Sequence, residues 1–373
     1  MLNTRLHFLL LLPVLHLFIH SCAPAPETAP GPPPVRGFWL TNVDSDAMDS
    51  REGLQEVVRL CEKWGFNTIY TCTWNRGYTL YPSPLMDSLF GKPIDPRFAG
   101  RDPLQELIEL ARPKGIRVIA WLEFGFASSY EEPDGGHLLR ARPKWAARDT
   151  AGAIVSKNGF QWMNAFDPEV QSFIRQLALE VARRYDIDGI QGDDRLPALP
   201  STAGYDSLTV ALYQAAHKGL SPPANPKDTA WVAWRAGLLN QFMGTLSDAL
   251  QAESPGLVRS FSPSIYPWSK YEYLQDWPTW VRNGWADEII PQVYRYDFPA
   301  YKKALLDITQ EQLAPEGKAL LAPGILLKVG EYVAPDTLLQ QMVGLNRQEG
   351  IQGEVFFFYE GLRERPAFFE QLY

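Results

Sequence analysis

Two adjacent carboxylates, Asp193 and Asp194, end the run Asp188-Gly189-Ile190-Gln191-Gly192-Asp193-Asp194. The composition is that of a short strand. With its period of two, Gly189, Gln191 and Asp193 share one face and Ile190 takes the other. Asp193 should therefore point into whatever site forms at the end of this strand, and Asp194 toward the neighbouring loops. Two more carboxyls stand at comparable places, Glu123 in Trp121-Leu122-Glu123-Phe124 and Glu360 just after the apolar run 353–359. A protonated carboxyl facing an ionised one can divide acid and base, or acid and nucleophile, between them. Glu123 suits the acid role, because apolar Trp121 and Phe124 beside it disfavour its charged form. The plainer alternatives are an Asp pair capping the next segment or holding a hydrated cation, and a Glu123 paired with an arginine such as Arg76.

Other chemistries are poorly supplied. Of five histidines, His7, His16 and His20 lie in the first 21 residues, which leaves His137 and His217. Two cannot build a histidine metal centre plus a separate catalytic histidine. No GxGxxG or GxxxxGK[ST] element is present, so nucleotide readings have no support. No cofactor and no metal ion are expected, although an oxygen-ligand metal hydrolase on Asp193, Asp194 and Glu123 stands as a minor alternative. The formal charge of −8 and the lack of a basic run argue against nucleic acid as a partner.

Eight apolar runs are expected as strands, at 35–40, 67–73, 116–123, 189–193, 258–263, 288–294, 319–325 and 353–359. Amphipathic stretches alternate with them at 51–64, 102–114, 168–185, 229–252, 270–283, 299–309 and 335–349. Asp102-Pro103 and Asp167-Pro168 have the form of an N-cap followed by proline at the first helical position. Eight such units predict an α/β fold, a (β/α)8 (TIM) barrel, with a doubly wound open sheet as the competitor. The long strand-to-helix connections, 41–50, 74–101, 124–166 and 194–228, mark the working end. Trp39, Trp74, Asn75, Trp121, Gln292, Tyr294 and Tyr359 fall in or near the C-terminal ends of strands. Their ring faces and amides suit sugar rings and hydroxyls, and packing is the ordinary alternative for each one. Trp162, Trp231, Trp234, Trp268, Trp277 and Trp280 are expected to pack helices onto the barrel. Cys61 and Cys72 are expected at different heights, beyond disulfide reach.

Residues 1–21 combine Arg5 with the apolar run 8–19, too short for a comfortable membrane span, and are expected to be a secretory signal. Ile19-His20-Ser21-Cys22 resembles a bacterial lipobox, which makes Cys22 the candidate lipidation site. The Pro-rich 22–34 segment would then be a tether and 35–373 the folded domain. Export to the cell envelope with a lipid anchor follows, at the outer membrane if the host is Gram-negative, since Ala23 is not Asp. A monomer is expected.

An ordered set of segments resembles the bacterial family 10-like glycosyl hydrolase group: VRGFWLTNVDSD (35–46), FNTIYTCTWNRGYTLYPS (66–83), GRDPLQELIELARPKGIRVIAWLEFGF (100–126), YDIDGIQGDDR (185–195), SPSIYPWSKYEYLQDWPTWV (262–281), IIPQVYRYD (289–297) and GEVFFFYEGL (353–362). The resemblance implies a glycosidase-type barrel, often exported as a lipoprotein. It also implies an oligo- or polysaccharide substrate, with cell-wall glycan strands (peptidoglycan) the best implied class. Glu123 stands where relatives often have Asn-Pro, and Arg195 where they often have an aromatic. The spacing from Asp188 to Asp193 resembles that of retaining α-glycosidase barrels, which implies a nucleophile at Asp193. Glu123 and Glu360 are then the candidate acids. The competing function is a carbohydrate-binding lipoprotein that holds glycan without cutting it.

Overall fold

The computed structural model describes residues 34–373, which form one compact unit. The expected signal, the Cys22 lipidation site and almost all of the tether lie outside the described residues. Eight parallel strands form one sheet: β1 Arg36–Leu40, β2 Thr68–Cys72, β3 Arg117–Leu122, β4 Gly189–Gly192, β5 Val258–Phe261, β6 Glu288–Ile289, β7 Gly324–Leu326 and β8 Glu354–Phe357. Their lateral order is β6-β5-β4-β3-β2-β1-β8-β7. Parallel bridges from Ile289 to Leu321 and from Gln292 to Gly324 join the two ends of that order. The sheet is thus a closed barrel, and the open-sheet alternative falls away.

The main helices between the strands are α1 Arg51–Lys63, α2 Pro103–Ala111, α3 Pro168–Arg184, α4 Thr229–Glu253, α5 Trp277–Arg282, α6 Phe298–Leu306, α7 Asp336–Gln348 and α8 Tyr359–Arg363. The two Asp-Pro starts act as expected. Asp102 accepts from the Gln105 amide and Asp167 from the Glu169 amide, with proline opening each helix. In α1, Leu54, Val57, Val58 and Cys61 are buried at helical spacing and seat the helix on the sheet.

Three expectations need correction. A 3-10 helix occupies Pro315–Leu320, so β7 begins at Gly324 rather than 319. The sixth strand shrinks to two residues, because Pro291 lacks the amide needed to continue the ladder. The 270–283 helix is two short helices, Trp268–Tyr273 and α5, separated by Leu274 in the left-handed conformation. Trp268 also departs from expectation, since it is exposed, whereas Trp162, Trp231, Trp277 and Trp280 are buried. Cys61 and Cys72 are both buried free thiols.

The barrel interior is packed with aromatic and polar side chains. Trp39 Nε1 donates to Gln191 Oε1 at 2.7 Å, and Gln191 Nε2 donates to the Ser260 hydroxyl at 3.0 Å. Lower down, Tyr70 donates to Glu288 at 2.8 Å while Arg117 pairs with the other Glu288 oxygen at 2.9 Å. Glu288 thereby ties β2 and β3 to β6 through the barrel, and a buried carboxylate of this kind tolerates no loss of partners. Removing it strands Arg117 and the Tyr70 hydroxyl. Glu288→Ala should cost about 3 kcal/mol, read as a lower urea midpoint at unchanged slope. Glu288→Gln, which keeps the hydrogen bonds, should cost less.

Candidate active site

At the C-terminal end of the barrel lies a cavity of about 170 Å³. Trp39, Trp121, Gln292, Tyr294 and Phe357 give its walls, and Glu123, Asp193 and Asp194 its carboxyls. Alternation along β4 carries Asp193 here, as expected, and it is almost completely buried. Asp194 lines the same cavity, contrary to expectation. The strand ends at Gly192 and the chain turns at once, so the period of two no longer governs Asp194. That turn folds tightly onto Gly192, where a Cβ would sit 2.4 Å from the Leu196 carbonyl oxygen.

Arg195 organises the carboxyls. Its Nη2 lies 3.0 Å from Asp193 Oδ2 and 3.6 Å from Glu123 Oε1, and its Nη1 lies 3.1 Å from Asp194 Oδ1. Its backbone amide donates to Asp193 Oδ1 at 2.8 Å and its Nε to the Glu123 carbonyl at 2.8 Å. The guanidinium also lies over the Phe160 ring, 4.7 Å from the centroid. Gly125, at φ 46°, lets the loop after β3 meet this turn, because a Cβ there would lie 2.2 Å from the Arg195 carbonyl oxygen. Phe126 donates its amide to that oxygen.

Glu123 takes further bonds from Asn75 Nδ2 at 2.5 Å and from the Cys72 thiol at 3.3 Å, both to Oε2. Arg76 is not its partner. Burial pushes the Glu123 carboxyl above the usual range against the pull of Arg195. Burial pushes Asp193 well above that range, opposed by Arg195 and reinforced by the neighbouring Asp194 charge. Glu123 and Asp193, the two buried carboxyls beside one guanidinium, thus resist being ionised together. Trp121 Nε1 adds a 3.2 Å bond to Asp193 Oδ2, and Gln292 is fixed through its bond to the Ser262 carbonyl.

Not every expected residue reaches the cavity. Trp74 donates to the Gly125 carbonyl and packs edge-on against Phe173, so it is core. Tyr359 is buried against Phe38. Asn75 acts by holding Glu123. Glu360 accepts from Ser45 and pairs with Arg363, away from the cavity walls. Its carboxyl is taken up by those two partners as α8 begins close behind β8. Arg195, Phe160, Ser262 and Phe357 were not anticipated as site residues. For Arg195 there was a signal, since a basic residue directly after two acids at a strand end is a natural counter-ion.

A cleft with clustered carboxyls around one guanidinium at the C-terminal mouth of a (β/α)8 barrel places the protein among barrels with an enzyme-like site at that end. The Glycosyl hydrolase-like 10 family profile matches residues 34–325, and the chain belongs to that family. It is 25% identical over 290 residues to glycosyl hydrolase DigH of Escherichia coli K12, a match spanning 70% of this chain and 62% of the relative. It is 23% identical to glycosyl hydrolase YngK of Bacillus subtilis, over 89% of this chain and 69% of that one. Among solved structures, the PgaB (BpsB) glycoside hydrolase domain of Bordetella bronchiseptica superposes with a TM-score of 0.66 at 14% identity, covering 90% of this chain and 97% of that domain. The catalytic domain of β-amylase from Paenibacillus polymyxa gives 0.58 at 10% identity, covering 90% and 97%. At these identities the two structures share the fold.

Arg195→Leu tests the electrostatic arrangement. Without the guanidinium, the folded state binds more protons than the unfolded chain above the ordinary carboxyl range, so its stability falls as pH rises. The variant's melting temperature should drop more steeply than the wild type's between pH 4.5 and 8, and should recover on acidification. Parallel curves would show that Arg195 does not neutralise the cluster.

Proposed function

We propose that this protein is a glycoside hydrolase in which Glu123 is the general acid and Asp193 the nucleophile, acting on envelope or extracellular glycan such as cell-wall glycan strands. The observation that carries this reading is the single Arg195 guanidinium shared by Asp193, Asp194 and Glu123 beside an aromatic-walled cavity. Both Asp193 oxygens accept from N–H donors, the Arg195 amide and guanidinium and the Trp121 indole, which favours the carboxylate needed for nucleophilic attack, and a proton on Glu123 would then complete the pair that glycoside cleavage needs. Glu123 gives its proton to the glycosidic oxygen as the C–O bond breaks, and the Asp193 carboxylate bonds to the anomeric carbon. Water, losing a proton to Glu123, then attacks that carbon and frees Asp193. One guanidinium nitrogen touching both groups favours the separation of about 5–5.5 Å found in retaining pairs over the wider inverting spacing. The cation among the carboxylates is the guanidinium itself, which also weighs against a divalent ion there.

The apolar 8–19 run and Ser21-Cys22 support an exported, Cys22-lipidated form held at the cell envelope. Cys22→Ser should shift the protein from the membrane to the soluble fraction and abolish N-terminal acylation by mass spectrometry. Retention at wild-type levels without acylation would reject the anchor.

The catalytic proposal is tested by reducing-end release from purified cell-wall glycan strands. Asp193→Asn should lower kcat by about 10³-fold or more, about 4 kcal/mol of barrier, while the fold persists. Glu123→Gln should lose comparable activity on the glycan but keep it on substrates with activated aryl leaving groups, which need no proton. Retained configuration by NMR is the expected stereochemistry. Tight glycan binding with no cleavage by the wild type would instead favour a binding protein.

A further inference from the structure

A second cavity, of about 420 Å³, adjoins the first, and the two share Glu123 and Phe160 as lining residues. Asp193 and Asp194 line only the smaller one. The larger is bounded by Asp44, Arg76, Tyr130 and Asn158.

Two hairpin tips flank it. Asn75 pairs with Tyr78 across Arg76-Gly77, and Lys157 with Phe160 across Asn158-Gly159. Both residues of each turn have positive φ, 49° and 78° in the first and 53° and 82° in the second. That is the pattern of a two-residue I′ turn, where asparagine, aspartate or glycine is preferred at the first position. Asn158-Gly159 conforms to that preference. Arg76 does not, and a long side chain in this conformation is uncommon. His137 fixes the Arg76 turn, with its Nε2 2.8 Å from the Gly77 carbonyl oxygen. Asn158 is fixed by its bond to the Tyr273 hydroxyl at 3.1 Å.

Among the described residues Arg76 has no carboxylate within ion-pair distance and no side-chain hydrogen bond. Its guanidinium rests near the Tyr130 ring, 5.4 Å from the centroid. Arginine is thus held at a turn that prefers another residue, its exposed guanidinium without a protein partner among the described residues and lining a cavity with aromatic walls. Asp44, also at positive φ (54°), offers acceptors in the same cavity.

We infer that this second cavity is the subsite for the leaving-group sugar, a pyranose ring bound by the Arg76 fork and the faces of Tyr130 and Phe160. The inference rests on the hydrolase reading above and adds direction to it. A general acid must touch the oxygen joining the two sugars, and Glu123 is the carboxyl common to both cavities. The sugar whose anomeric carbon is attacked then lies in the small cavity with Asp193, and the departing sugar lies between the hairpin tips. On its glycan substrates the enzyme therefore holds a sugar on each side of the bond it cleaves.

The test uses Arg76→Asn, which gives the turn its preferred residue and so leaves folding intact or improved. On cell-wall glycan strands, kcat/KM should fall about thirtyfold, mostly through KM, as expected for loss of a charged hydrogen-bonding fork. On a dinitrophenyl glycoside of the same sugar, which places no sugar in this subsite, the variant should stay within threefold of wild type. Equal losses on both substrates, or none on the strands, would overturn the subsite. If the wild type cleaves neither, the hydrolase reading fails, and calorimetric binding of the strands decides the subsite alone. There Arg76→Asn should weaken binding about tenfold or more, and unchanged binding, or no binding by either form, overturns it.

Discussion

Three carboxyls share one guanidinium at the mouth of the barrel, and most of the molecule's design follows from the cost of burying them. Isolated, Asp193 and Glu123 would be driven to their neutral forms by desolvation. Arg195 keeps part of the charge in place by meeting Asp193, Asp194 and Glu123 from one position. Its own placement depends on neighbours that have no charge. The sharp turn after Gly192 brings it up, the Gly125 loop closes on its carbonyl, and Phe160 supports its planar face. The cluster is therefore a tertiary object, assembled from β3, β4 and the loops between.

The barrel below serves as a rigid mount. Closure of the sheet by the β6–β7 bridges fixes which strand ends are neighbours, and Glu288, Gln191, Tyr70 and Trp39 crosslink the interior by hydrogen bonds. A packed interior with two discrete layers of polar contacts does not deform continuously, so the side chains at its mouth hold their spacing. The long loops are made stiff in turn. Arg235, fully buried in α4, donates to the carbonyls of Ser201, Ala203 and Pro226 and so anchors the connection after β4. His137 and His217, which carry no metal-binding partners among the described residues, are used structurally, one pinning a hairpin and the other stacked on Tyr213.

The division of aromatic residues follows the same logic. Those at strand ends whose neighbours leave open space, Trp39, Trp121, Tyr294 and Phe357, wall the cavity. Those covered by a neighbouring element, such as Trp74 by Phe173 of α3 and Tyr359 by Phe38 of β1, become core. The residue type is the same in both groups, and what lies above the ring decides its use.

The amino-acid sequence alone determined the eightfold alternation, the Asp-Pro helix starts, the position of Asp193 and the pairing of Glu123 with it as a candidate acid. These depend on short-range periodicity and composition, which local backbone geometry enforces. It did not determine where strands stop. Asp194 entered the cavity because β4 ends one residue early, and β6 and β7 were shortened by Pro291 and a 3-10 turn. Nor could it choose the partner of Glu123, since Arg76 and Arg195 are both arginines near strand ends. Only the packing of the loop after β3 against the turn after β4 brought Arg195 to Glu123 and left Arg76 at a hairpin tip. Glu360, also placed just after a strand end, was taken up by Ser45 and Arg363 instead. Strand periodicity fixes the direction of a side chain only while the strand lasts. Beyond its last residue, direction belongs to the loops, whose course is set by contacts distant in the chain.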